Sequence, residues 1–460
     1  MTYTPGTNHD EALTSAGRPR PVYEELIEAL GSSDLDAISR RTQDYLRQRQ
    51  VTFRTSTGSR PFHVDPIPRV LEAAEWGGLE QGMRQRSRAL NAFIADVYGD
   101  QEILRDGVVP RRVLDTAEHY EPRVEGIEVP GGHAPVIGFD LVREGQGRFA
   151  VLEENLRTPS GLAYGSAARR AVDAASPFEA PSDRRDVAAS FELLATAIRD
   201  ASPDGGGDPS AALLSDGPFN AAWFEHTELA RRLGIPIVTR EELDSRNGRL
   251  HAVQPHGPPR ELQVIYRRTD EDRLSDESGR PTWIAEALLE PVRSGRLTVV
   301  NGLGAGIADD KLTHAYVHEM IRFYLDEEPD LASVPTYDLG DPEVREDVLS
   351  RLDEVVVKPR AGLGGTGVMI GRQSSDEDRE QVSRLIRARP DGFVAQETIP
   401  LSSHPTVCDG SLEPRHVDLR AFAIGGGVAP GALTRVALTQ GSLLVNTSQD
   451  GGGKDTWVLA

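Results

Sequence analysis

The stretch Val136-Ile-Gly-Phe-Asp-Leu-Val-Arg143, the turn Gly145-Gln-Gly147 and the run Arg148-Phe-Ala-Val-Leu-Glu-Glu-Asn-Leu-Arg-Thr-Pro-Ser-Gly161 decide how the rest of the chain is read. Two apolar, β-branched runs joined by a short glycine turn predict an antiparallel hairpin. Asp140 lies on its first strand, and Glu153 and Asn155 close the second. Two residues apart, Glu153 and Asn155 leave the same face of a strand. A turn centred on residues 145–147 brings Asp140 up beside them. The result is a set of oxygen donors without sulfur, which suits Mg²⁺ carrying phosphates. Turn and capping roles for the same acids are the alternative.

The surrounding chain is that of an ordinary folded protein. Its 460 residues, 38% hydrophobic and 27% charged, can bury a large core in two or three domains. A formal charge of −21 argues against nucleic acid or an anionic membrane as the main partner. The single cysteine, Cys408, excludes an internal disulfide framework and a Cys-rich zinc site. With no signal peptide and no apolar run of membrane-spanning length, a cytoplasmic location is expected.

Five segments follow from composition and periodicity. Residues 1–20 are polar and expected to be a disordered tail. Residues 21–130 form a helical region, in which 62–68 are extended and the arginines of 85–91 fit a solvated helix face. Residues 131–204 hold the hairpin and two helices, near 163–175 and 186–201. In 205–345, strands at 211–214, 235–238, 262–266 and 297–300 alternate with helices, which indicates a parallel sheet. Residues 301–306 and 309–311 lie beyond a strand end, where such sheets place ligands. Residues 346–460 are strand-rich, with a loop expected at 448–455.

This last segment carries three further signals. Gly362, Gly364 and Gly367 match G-x-G-x-x-G, but a dinucleotide fingerprint needs a helix afterwards. Here a β-branched run follows, so the loop joins two strands; it is either a surface hairpin or a cover whose N–H groups fold over phosphates. Lys358, just before it, can reach an α- or β-phosphate. Gln396 and Glu397 end a strand where an adenine-holding hinge fits, or simply enter a loop. Asp418 and Arg420 share one strand face, as a surface ion pair or with the arginine free to neutralise a γ-phosphate.

Taken together and in this order, these parts resemble the circularly permuted ATP-grasp family (type 2), of which glutathionylspermidine synthetase is a distant relative. In the usual ATP-grasp order the glycine-rich loop comes first and the acidic hairpin last; here Asp140, Glu153 and Asn155 precede Lys358. The resemblance extends from about residue 60 to 457 and includes residues 151–161, Asn301-Gly-Leu-Gly304 and Ser448-Gln-Asp-Gly-Gly-Gly-Lys-Asp-Thr-Trp457. Where the family often has Asp before the hairpin Asn, this chain has Glu154, which is expected to matter little because it points away from Glu153 and Asn155.

The resemblance implies an α/β (α+β) fold with a Rossmann-like pre-ATP-grasp unit and a helical N-terminal region. It also implies an ATP-dependent carboxylate–amine ligase that works through an acyl phosphate, with ATP and Mg²⁺ as cofactors. In that reading Asp140, Glu153 and Asn155 hold the metal. Lys358 with Gly362, Gly364, Gly365, Thr366 and Gly367 holds and covers the phosphates, and Gln396 and Glu397 face adenine. Arg420 stabilises the transferring phosphoryl group and Arg157 orients the substrate carboxylate. Asn446 and Lys454 contact phosphate or acyl phosphate. The partners are a small-molecule or peptide carboxylate and an amine, with no nucleic acid and no membrane. A helical or transglutaminase-like partner protein is also expected, since such proteins often accompany the family. Two other readings stay open: a phosphotransferase, and a nucleotide-binding scaffold that works with a partner protein.

Overall fold

The computed structural model describes residues 3–6, 8–55, 58–254, 257–362, 367–443, 445 and 451–460. The predicted hairpin forms, as Val136–Arg143 and Phe149–Asn155, and sits inside the largest sheet. Across that sheet the order is Ala332–Ser333, Phe149–Asn155, Val136–Arg143, Ser411–Ile424, Leu433–Val436, Gly452–Val458 and Val64–Leu71. Ser403–Cys408 and Gly427–Val428 also pair with the long strand Ser411–Ile424. Helices Ala73–Val97 and Leu162–Ala175 cover the sheet with apolar faces, burying Trp76, Met83, Leu90 and Phe93 from the first and Ala167, Ala168 and Val172 from the second.

A separate four-stranded sheet, Thr336–Asp338, Phe393–Glu397, Val355–Pro359 and Met369–Ile370, is antiparallel throughout. A third sheet is wholly parallel, in the order Thr298–Val300, Val264–Arg267, Ala211–Leu214, Ile237–Val238. Its strand order reverses beside Ala211–Leu214, and the carboxyl ends at that point are where α/β sheets bind ligands.

Several expectations are corrected. Within the segment expected to be a disordered tail, Asp10, Glu11, Ala12 and Leu13 are buried, and Glu11 accepts hydrogen bonds from Arg69, Arg143 and Ser402. The segment 62–68, read as extended within a helical region, runs into the strand Val64–Leu71 at the sheet's edge, where Pro66 and Pro68 need no donor on the open side. The expected loop at 448–455 is strand from Gly452 onward, paired with Val64–Leu71. Arg86, expected on a solvated face, is fully buried. Among the described residues no helix is long and apolar enough to cross a membrane.

Candidate active site

Strand register assembles the acidic end of the site. Glu153 stands opposite Asp140, and Asn155 opposite Gly138. The register slips at Leu152, and a bulge of this kind re-aims the side chains beside it. On the neighbouring strand Arg420 is paired opposite Asp140 and binds both its carboxylate oxygens, through Nε and, at 2.9 Å, through Nη2. Gly138 is needed for this approach: a Cβ there would lie 2.8 Å from Cβ of Pro159 and 3.5 Å from Cδ of Arg420. Burial pushes the Asp140 carboxyl up, but Arg420 and Arg435 outweigh it and hold the group well below the usual carboxylate range.

These residues open onto a cleft of about 170 Å³ between the large sheet and the four-stranded antiparallel sheet. Its apolar walls are Val142, Leu152 and Leu401 on one side and Val356 and Ile370 on the other, a slot for a flat aromatic group. Gln396 lines the slot. Its Nε2 donates to the Leu152 carbonyl and to Thr336, and its Oε1 is buried without a partner. Glu397 also lines the cleft but is engaged by Tyr337 and Arg351.

At the other end stand Lys358, Lys311 and Arg435. Lys358 is buried, which lowers its ammonium to about 8 although Glu153 and Asp140 pull it upward. Lys311 begins the turn Lys311–His314, donates to the Gly362 carbonyl at 2.7 Å and lies 3.9 Å from Glu153. Asp310 caps that turn and grips Arg360 at 2.6 and 2.7 Å, fastening the root of the glycine-rich loop to it.

Asp140, Glu153, Asn155, Lys358, Gly362, Gln396 and Glu397 are therefore brought together around one cleft. Gly367 is described beyond the loop, packed near Pro359 with φ +74°. Gly364, Gly365, Thr366 and Asn446 lie outside the described residues. Arg420 sits behind Asp140 and is not part of the lining. Arg157 lies past the hairpin, held by Asp272 at 2.6 and 2.8 Å, while Asp309 accepts from the Leu156 and Arg157 amides. Lys454 is a correction: it is completely buried and paired with Asp65 on the edge strand, so it cannot touch phosphate. Glu154 is another. It does face away, but it is buried between Arg86 and His314 and is therefore a structural ion pair rather than a solvated acid.

Lys311, Arg435 and Asp309 are cleft residues that the sequence reading did not assign. Lys311 and Asp309 lie in the segment placed beyond a strand end, where position alone pointed to them. Thr434 and Arg435 interrupt an apolar run as two consecutive buried polar residues, and this is the one trace Arg435 leaves in the sequence.

Among the described residues no group of three or more His, Cys, Asp or Glu side chains could hold a metal. The donor set is instead two facing carboxylates and the Asn155 amide, which fits Mg²⁺ whose remaining ligands come from phosphate and water.

The family model described as circularly permuted ATP-grasp type 2 matches residues 68–437. A protein of Synechocystis sp. is 40% identical over 100% of this chain and 98% of its own length. A Mycobacterium tuberculosis protein is 40% identical over 98% of this chain and 84% of its own. A Frankia alni protein bearing the name "Putative glutamate--cysteine ligase 2-3" is 41% identical over 98% of this chain, which spans 54% of that protein. Among solved structures, a glutathione synthetase like-effector from Globodera pallida in apoform superposes with a TM-score of 0.60 at 11% identity, over 93% of this chain and 98% of that one. This last likeness is one of fold.

Proposed function

The chain belongs to the circularly permuted ATP-grasp type 2 family, and from that premise we infer that it is an ATP-dependent carboxylate–amine ligase acting through an acyl phosphate. The observation that carries this reading is the cleft itself: an orphaned acceptor in an apolar slot at one end, and cations with a carboxylate–carboxylate–amide set at the other. Gln396 Oε1 accepts from an exocyclic amine, as adenine offers. Lys358 and Lys311 bind the phosphates, and Arg435 borders the position of the transferring group. Asp140, Glu153 and Asn155 would hold Mg²⁺, which when bound offsets charge on the phosphates. Arg157, its guanidinium fixed by Asp272, orients the substrate carboxylate for in-line attack. Past the carboxyl end of the parallel sheet, the Asp270 carbonyl accepts from Arg157 Nη2 at 3.4 Å, and in this reading the amine approaches there. The two sheets exclude water from the acyl phosphate until the amine displaces phosphate.

The test is ADP and phosphate release from Mg²⁺-ATP with amino acids, short peptides and polyamines as acid and amine. Release that needs both, and that falls at least ~100-fold in Glu153→Gln, supports the ligase. Cleavage that needs only one acceptor makes the protein a phosphotransferase. Nucleotide binding without turnover on any pair makes it a scaffold.

A further inference from the structure

The phosphate end of the cleft is already charge-compensated. The carboxylates of Asp140, Glu153, Asp309 and Asp418 meet the cations Lys311, Lys358, Arg420 and Arg435, four against four. Arg435 has two contacts within this group. It stands directly across from Asp418, donating through Nε at 2.8 Å and Nη2 at 2.5 Å. The same Nη2 lies 2.9 Å from Oδ2 of Asp140. Asp418 is fully buried, so Arg435 is berthed on one acid and shared with another, and only the shared one belongs to the proposed metal set.

Resting on the nucleotide reading above, we propose that Arg435 is a built-in counter-cation that keeps bare divalent cations off Asp140 and admits them only with the phosphates that carry them. Asp418 is the positioning residue that draws Arg435 back from Asp140. The electrostatics are direct. A bare dication adds two positive charges to a cluster whose carboxylates are already balanced, and it competes with two guanidinium groups for one carboxylate. A metal carried on nucleotide phosphates arrives with net negative charge and offers Arg435 phosphate oxygens in place of Asp140, a geometry that guanidinium matches well. Arg420 cannot make the same exchange, because its Nε and Nη2 are both on Asp140 and its Nη1 is held by the Ser160 carbonyl.

The test is Mn²⁺ binding to the whole chain, followed by electron paramagnetic resonance of free Mn²⁺, with and without ADP. Wild-type protein should bind Mn²⁺ far more tightly with ADP than alone. Arg435→Met should tighten binding of Mn²⁺ alone by at least ~10-fold and shrink the ADP-dependent gain. Asp418→Asn should do the opposite, because Arg435 then has only Asp140: Mn²⁺ alone should bind more weakly, and Mn²⁺ with ADP should be nearly unchanged. A merely structural arginine and aspartate would weaken every form of binding in both variants, and that result overturns the proposal. If Arg435→Met does not fold, Asp418→Asn decides by itself, through whether the loss is confined to Mn²⁺ alone. If ADP fails to tighten Mn²⁺ binding even in wild-type protein, the nucleotide reading falls first. If ADP tightens it but Arg435→Met does not bind Mn²⁺ alone more tightly, the nucleotide reading stands and this proposal falls.

Discussion

At the scale of single residues, Gln396 shows how much one atom can imply. A buried acceptor without a donor costs on the order of 1–3 kcal/mol, so its persistence in an apolar slot marks a ligand group. The amide is held in place through its other end, by Leu152 and Thr336, which leaves Oε1 as the buried atom without a partner. In the proposed reading the exocyclic amine of adenine would satisfy that oxygen, whereas the carbonyl of guanine would face it acceptor to acceptor. Gln396→Met is therefore expected to weaken ATP binding roughly 5- to 10-fold and to erode discrimination against GTP by a similar factor. Competition of the two nucleotides for a fluorescent ADP analogue reads both; unchanged discrimination would remove Gln396 from the base pocket.

At the scale of elements, the strand Phe149–Asn155 works on both faces. One face offers Glu153 and Asn155 to the cleft, and the other buries Glu154 against Arg86 of the helix Ala73–Val97 and His314 of the turn that carries Lys311. Burial pushes the Glu154 carboxyl up, but His314 and Arg86 outweigh it and bring the group to about 2. Glu154→Gln leaves a buried arginine half-paired, and its expected cost is about 3–5 kcal/mol, read as a lower urea midpoint. Because the same turn carries Lys311, affinity for ADP should fall as well. A variant with wild-type stability would show that the pair is dispensable. The sequence made the two strands of this hairpin legible through their apolar, β-branched runs around a glycine turn, Val355–Pro359 through its valines, and Ala211–Leu214 through a short apolar run between turn residues and a helix. It did not show Gly452–Val458, whose glycines, Lys454 and Asp455 look like a loop until Asp65 and Arg169 arrive from distant segments to neutralise the charges. Arg435 was hidden for a related reason: its partners Asp418 and Asp140 lie on two other strands, and sequence spacing does not reveal that adjacency. Arg157 and Arg420 were singled out as residues, but their pairing with Asp272 and Asp140 was not.

At the scale of the whole molecule, buried histidines tie stability to pH. His226 is buried beside Ser215, and burial, with Arg268 nearby, lowers its imidazole to about 2. The folded protein keeps it neutral, while the unfolded chain takes up a proton below its ordinary value near 6.5. The contribution is therefore complete above pH 6.5 and is lost progressively as pH falls from there toward 2. Between pH 7 and pH 5 this one group should cost about 2 kcal/mol, and the urea midpoint of His226→Asn should drop less over that interval than that of wild-type protein. Equal slopes would mean that His226 is protonated in the fold.

The pairing that closes the large sheet also sets a schedule for synthesis. Val64 lies beside Gly453, and Leu71 beside Val458, so the edge strand finds its partner only after the long stretch between them has been translated. At ~5–20 residues per second that wait is roughly 20–80 s. Throughout it, the nascent chain carries an apolar strand with open hydrogen-bonding groups, the kind of surface that chaperones cover and that misfolding exploits. Pro66 and Pro68, which make this strand hard to recognise, also blunt that unpaired edge while it waits.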